Sequence, residues 1–89
     1  MTRVLVAEDS ATAREALLAI FAADPEMEVV GVAKDGGEAV ALTKRLRLGI
    51  VIMDIHMPVL DGYEATRRIM VQAPTPILIV STSVNVSEA

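Results

Sequence analysis

Apolar residues along this chain gather into four short runs, separated by longer stretches in which they recur at every third or fourth position. The runs Val4–Ala7, Glu28–Ala33, Ile50–Met53 and Ile77–Val80 are rich in Val, Ile and Leu. Continuous apolar character, without in-and-out alternation, predicts strands covered on both faces, which is the habit of parallel sheets. The intervening spacing predicts three helices. The first runs from about Ala11 to Ala23, with Ala13, Ala16, Leu17, Ile20 and Phe21 on one stripe, Ser10 or Asp9 as its cap, and Asp24-Pro25 as its stop. The second covers about Gly37 to Leu46, turning Ala39, Leu42 and Leu46 inward. The third starts after Asp61-Gly62 and ends near Gln72, ahead of Ala73-Pro74-Thr75-Pro76, with Ala65 and Ile69 sharing a face. Arg67-Arg68 and Lys44-Arg45 fall on the solvated helix faces.

Strict alternation of strand and helix with short connections predicts an open, doubly wound α/β sheet with right-handed crossovers. In such sheets the functional crevice lies beyond the carboxyl ends of the strands, where strand order reverses. For the order 2-1-3-4 that crevice falls between the first and third strands.

The length of 89 residues allows one domain, residues 1–89, with a thin core. The chain is 53% hydrophobic but 2% aromatic, with Phe21 and Tyr63 its only rings, which excludes a base-stacking surface for single-stranded nucleic acid. A net charge of −4 has the wrong sign for neutralising phosphates, so no direct nucleic-acid partner is expected. The absence of cysteine excludes a disulfide framework and a thiol nucleophile, and a single His argues against an all-protein zinc centre. The longest apolar run, Ala16–Ala23, is far short of the roughly 20 residues of a membrane span, and the opening Met1-Thr2-Arg3 lacks the pattern of a signal peptide. The expectation is a cytoplasmic protein without a membrane partner.

The predicted crevice gathers acids from distant positions: Glu8-Asp9 after the first strand and Asp54 after the third. One acid at a strand end is commonly a solvated loop residue; convergence of all three on one crevice is not expected by default. Two unit charges about 5 Å apart repel by roughly 3 kcal/mol at an effective dielectric near 20, so three mutual pairs cost on the order of 10 kcal/mol. A divalent cation or bound protons must offset this. An all-oxygen, partly hydrated donor set suits Mg²⁺ or Mn²⁺. A strand-end carboxylate beside Mg²⁺, with no Lys-bearing Gly-rich loop, points to phosphoryl transfer onto the protein itself, with Asp54 as nucleophile and Glu8 and Asp9 holding the metal. Ser81, at the end of the fourth strand, is the hydroxyl placed to reach a phosphoryl oxygen on Asp54, and Thr82 is a second candidate. In the segment Asp54 to Gly62, Pro58 stiffens the loop, Met57 plugs the core and Asp61-Gly62 turns the chain into the third helix. The His56 side chain is read as a loop residue, with its backbone carbonyl as the better ligand.

These residues resemble the receiver domain of two-component response regulators: Val4-Leu5-Val6-Ala7-Glu8-Asp9-Ser10, Asp54 within Asp-x-x-Met-Pro-x-x-Asp-Gly, and Ile79-Val80-Ser81. The resemblance covers essentially the whole chain. Within that family, Asp24-Pro25-Glu26-Met27-Glu28-Val29-Val30-Gly31, Asp35-Gly36 and Thr75-Pro76-Ile77 are similar to the receiver of the chemotaxis protein-glutamate methylesterase. The resemblance implies a flavodoxin-like fold, phosphorylation of Asp54 by a partner histidine kinase docking against the first helix, and Mg²⁺ held by Glu8, Asp9, Asp54 and the carbonyl of His56. It implies that Ser81 is the switch hydroxyl, that Thr82 stands where the family prefers Ala or Ser, and that any esterase activity belongs to an output domain outside this chain.

Members of the family continue through a further helix, a fifth strand carrying a Lys that pairs with the phosphoryl group, and a last helix. Against that pattern the chain reads as incomplete: Ser83–Ala89 only begins the fourth helix, and the Lys has no counterpart. The outer edge of the fourth strand is then expected to invite self-association or a domain swap. Two classes of function follow, a phosphoacceptor that regulates an output domain and a receiver-derived interaction module not switched by phosphate. A metal-dependent phosphotransferase with an Asp-x-Asp motif is disfavoured, because Asp54-Ile55-His56 lacks the second Asp.

Overall fold

The computed structural model describes residues 1–81; Thr82 and the expected start of a fourth helix lie outside the described residues. Its elements are β1 (Thr2–Ala7), α1 (Ala11–Ala22), β2 (Met27–Ala33), α2 (Gly36–Arg45), β3 (Ile50–Asp54), α3 (Gly62–Gln72) and β4 (Ile77–Val80). The strands form one parallel sheet in the order β2-β1-β3-β4, as predicted. β1 begins two residues before its apolar run, because Thr2 and Arg3 pair with Met27 and Glu28 at the polar end of β2.

The pleat divides the core in two. Leu5, Ala7, Val51 and Met53 point to one face and pack with Ala39 of α2 and Ala65 and Ile69 of α3. Val4, Val6 and Ile52 point to the other, where Leu17, Leu18 and Phe21 of α1 cover them. Each helix carries an N-cap carboxylate or hydroxyl that accepts from the third backbone N–H beyond it: Ser10 for α1, Asp35 for α2 and Asp61 for α3. Ser10, rather than Asp9, is therefore the α1 cap, which leaves Asp9 available to the crevice.

The packing stripe of α1 differs from the one expected. Ala16 is exposed and Ile20 is 62% exposed, while Leu18 packs inward. Residues 16–23 are all apolar, so their periodicity does not choose a face. Arg14, Leu17, Leu18 and Phe21 follow the i, i+3, i+4, i+7 spacing of a single face, which packs on the sheet through its three apolar members with Arg14 half-buried at its start. On the exposed face of α3, hydrogen bonds from Arg67 and Arg68 hold the Glu64 carboxyl down to about 2. Because this pKa is depressed in the folded state, whatever support the ion pair lends is present near neutrality and is lost as pH falls through that value.

Truncating the fully buried Ile69 to Ala is expected to cost about 2–5 kcal/mol in urea unfolding. The Ile20→Ala change is expected to stay within about 0.5 kcal/mol. A large loss at Ile20 would contradict the α1 orientation described here.

Candidate functional site

Parallel pairing aligns Ala7 of β1 with Met53 of β3, so the next residue on each strand emerges at the same edge of the sheet. Glu8 is held there by its N–H, which donates to the Ala33 carbonyl at 2.9 Å, and is fully buried. Asp54 ends β3, is 1% exposed, and sits opposite Val80 of β4. Asp9 follows Glu8 into solvent. One carboxylate oxygen from each of Glu8, Asp9 and Asp54 lies within 4.8 Å of the others. The crevice inferred from strand order thus brings all three acids together.

At such separations each ionised pair repels by at least about 3 kcal/mol for an effective dielectric near 20. The donor set is oxygen only, with two of its three members buried and the third open to solvent, so a cation entering there would keep part of its water. That combination fits a hard divalent cation such as Mg²⁺ or Mn²⁺ and poorly suits thiophilic metals.

Two further hydrogen-bonded features shape the pocket. Ser10 N–H donates to Glu8 Oε2 at 3.0 Å, folding the glutamate back over its own loop. Arg14 Nη1 donates to the backbone carbonyls of Glu8 at 3.0 Å and of Asp9 at 3.4 Å. Opposite them, the β3–α3 loop leaves Asp54 through Ile55, whose N–H donates to the Val80 carbonyl at 3.1 Å. The Gly62 N–H then returns to the Ile55 carbonyl at 2.9 Å, and a Cβ on Gly62 would collide with the Asp54 carbonyl oxygen. Only glycine lets α3 start this close to the end of β3. Met57 plugs the core below the loop as expected, and Val59 takes a φ of 68°, a left-handed conformation unusual for a β-branched residue.

Ser81 is exposed and follows directly on Val80, the partner of Asp54, so it stands one residue beyond Asp54 on the neighbouring strand. His56 lies in the β3–α3 loop with an exposed side chain, consistent with its reading as a loop residue. Two contributors went unnoticed in the sequence, Arg14 and the close approach of Gly62. A cation near the N-terminal end of a helix, where the dipole disfavours it, was the available signal for the first.

Known proteins with this pattern carry the same architecture. A family model described as the response regulator receiver domain matches residues 4–89. A protein-glutamate methylesterase/protein-glutamine glutaminase of Myxococcus xanthus is 61% identical over 82 residues, covering 92% of this chain and 23% of that protein. Another from Anaeromyxobacter dehalogenans is 54% identical over 88 residues, 99% of this chain and 25% of that protein. The chain thus spans about a quarter of the length of these relatives. The crystal structure of the response regulator domain of Thermotoga maritima CheB superposes with a TM-score of 0.89 at 48% identity, covering 92% of this chain and 61% of that one. The receiver domain of a sensor histidine kinase from Pseudomonas aeruginosa, solved with a magnesium ion in its active-site cleft, superposes at 0.83 with 30% identity, covering 92% and 68% of the two chains.

Replacing Asp54 with Asn removes one member from each of two repelling pairs. In a metal-chelating buffer the variant is expected to gain about 1–3 kcal/mol in urea unfolding. Mg²⁺ is expected to raise the midpoint of the unmodified chain by mass action and to move that of the variant much less. A variant that is destabilised without metal would contradict this electrostatic picture.

Proposed function

We propose a function for this chain from one premise, that it belongs to the response regulator receiver domain family. Asp54 is the phosphoacceptor. Its carboxylate oxygen attacks the phosphorus of a phosphohistidine on a partner histidine kinase, the P–N bond breaks, and the imidazole leaves with its electron pair and takes up a proton. The product is an acyl phosphate on Asp54. Glu8, Asp9 and Asp54, with the backbone carbonyl of His56, are the residues that hold Mg²⁺, and the bound cation supplies charge neutralisation for donor and acceptor. Ser81 is the hydroxyl that donates to a phosphoryl oxygen once the acyl phosphate has formed. The convergence of the three carboxylate oxygens within 4.8 Å, where β1 and β3 end, carries this reading.

The output regulated in the longer protein is a catalytic unit of the kind named in the relatives, a protein-glutamate methylesterase/protein-glutamine glutaminase, and the signalling context is chemotaxis. No described helix is long and apolar enough to cross a membrane. A cytoplasmic site of action is part of the proposal, because phosphodonor kinase domains work there.

Incubation with a small phosphodonor and Mg²⁺ is expected to add one phosphoryl group to the intact mass. The adduct should disappear with a chelator or in Asp54→Asn. A folded, unmodified chain that gains no adduct would refute the assignment.

A second reading, self-association, is favoured by Leu78, which is 49% exposed in the middle of β4 and lies at a sheet edge among the described residues. Flat apolar edges pair readily. Sedimentation is expected to show a concentration-dependent dimer, and a dilute monomer with a cooperative melt would count against that pairing.

A further inference from the structure

The β1–α1 loop must present two carboxylates from a very short span of backbone. The last sheet bond is Glu8 N–H to the Ala33 carbonyl, and the first helix bond is Arg14 N–H to the Ser10 carbonyl. Between them lie the two peptide planes that flank Asp9. Both carbonyls of those planes accept from a single nitrogen, Nη1 of Arg14, at 3.0 and 3.4 Å. The N–H of the second plane, that of Ser10, donates to Glu8 Oε2. The backbone on either side of Asp9 is therefore held by the guanidinium, and one of its planes is held at both ends.

Nothing in the helix itself explains an arginine here. A cation near a helix N-terminus opposes the macrodipole, and α1 has no acidic residue in its first turn to offset it. Arg14 is instead half-buried on the stripe of Leu17, Leu18 and Phe21, where packing of the helix face on the sheet aims its stem at the loop.

We propose that Arg14 is a positioning residue for the metal site. By bridging the Glu8 and Asp9 carbonyls, it fixes the peptide planes around Asp9, so that this exposed carboxylate stands beside Glu8 and Asp54 before a cation arrives. The inference rests on the reading of those three acids as metal-binding. It makes a prediction whose sign separates it from a simple charge effect. A positive side chain that acted only by repelling a cation would, once removed, leave Mg²⁺ bound more tightly. Loss of a positioning group leaves it bound more weakly, because the loop must then be ordered at the expense of binding.

The test is Mg²⁺ titration calorimetry on the unmodified chain, Arg14→Ala and Arg14→Lys, with amide hydrogen exchange on the metal-free proteins. Arg14→Ala is expected to weaken Mg²⁺ binding by about tenfold, the order of effect when one residue's backbone freedom is given up on binding. Its Ser10 amide should exchange faster without metal, while the cooperative melt is retained. Arg14→Lys keeps the charge but not the planar fork and should fall between the two. Equal or tighter binding by Arg14→Ala, or unchanged Ser10 exchange, overturns the inference alone. If the unmodified chain itself binds no Mg²⁺, the functional reading fails and the inference falls with it. Should Arg14→Ala not fold, Arg14→Gln replaces it with the same expected direction.

Discussion

Convergence of three carboxyl groups on one crevice is the constraint on which the site of this small protein depends. Parallel pairing of Ala7 with Met53 makes the encounter unavoidable, since Glu8 and Asp54 are the next residues on strands in register. Apolar β1 and β3, buried on both faces, keep that register from slipping, because a slip of one residue would turn Leu5 and Met53 from one layer into the other. The hydrophobic core thus holds together three acidic side chains that would separate in a looser chain. A site assembled in this way offers three carboxylate oxygens within 4.8 Å of one another, a donor set that fits a hard divalent cation.

The loops around the crevice meet the same constraint with backbone hydrogen bonds. On the β1 side, Ala33, Ser10 and Arg14 hold the span that carries Glu8 and Asp9. On the β3 side, Val80 and Gly62 hold Ile55, directly after Asp54. Because Ser10 caps α1 and Asp61 caps α3, the elements that bound the pocket start from defined points. Rigid placement matters more than the affinity of any one ligand when charge must be matched to a transferring phosphoryl group.

Much of this is legible in the amino-acid sequence, and for identifiable reasons. The strand runs are short, strongly apolar and separated by amphipathic segments, so element type and the open parallel sheet follow from alternation, whereas the order 2-1-3-4 is what the family resemblance implies. The acids were visible because each directly follows a strand run. The orientation of α1 is not legible: Ala16 to Ala23 presents apolar side chains all around, and the buried face begins with Arg14, a residue that a hydrophobic pattern scores as outward. The first two residues of β1 were missed because Thr2 and Arg3 pair through backbone alone. Gly62 read as a turn residue, whereas its reason for being glycine is the Asp54 carbonyl across the gap, a contact that only the folded chain creates.

The matched relatives are about four times longer than this chain, and the shared architecture accounts for about a quarter of their length. The three acids at the ends of β1 and β3 form one candidate cation site. Titration with Mn²⁺, followed by the paramagnetic broadening of backbone amide signals, tests this most directly. Broadening is expected to begin at Glu8, Asp9 and Asp54 and in the following residues Ile55 and His56, and to be reversed by excess Mg²⁺. Broadening that begins instead around Asp24 and Glu26, or around Asp35 and Glu38, or that Mg²⁺ does not reverse, would contradict the account.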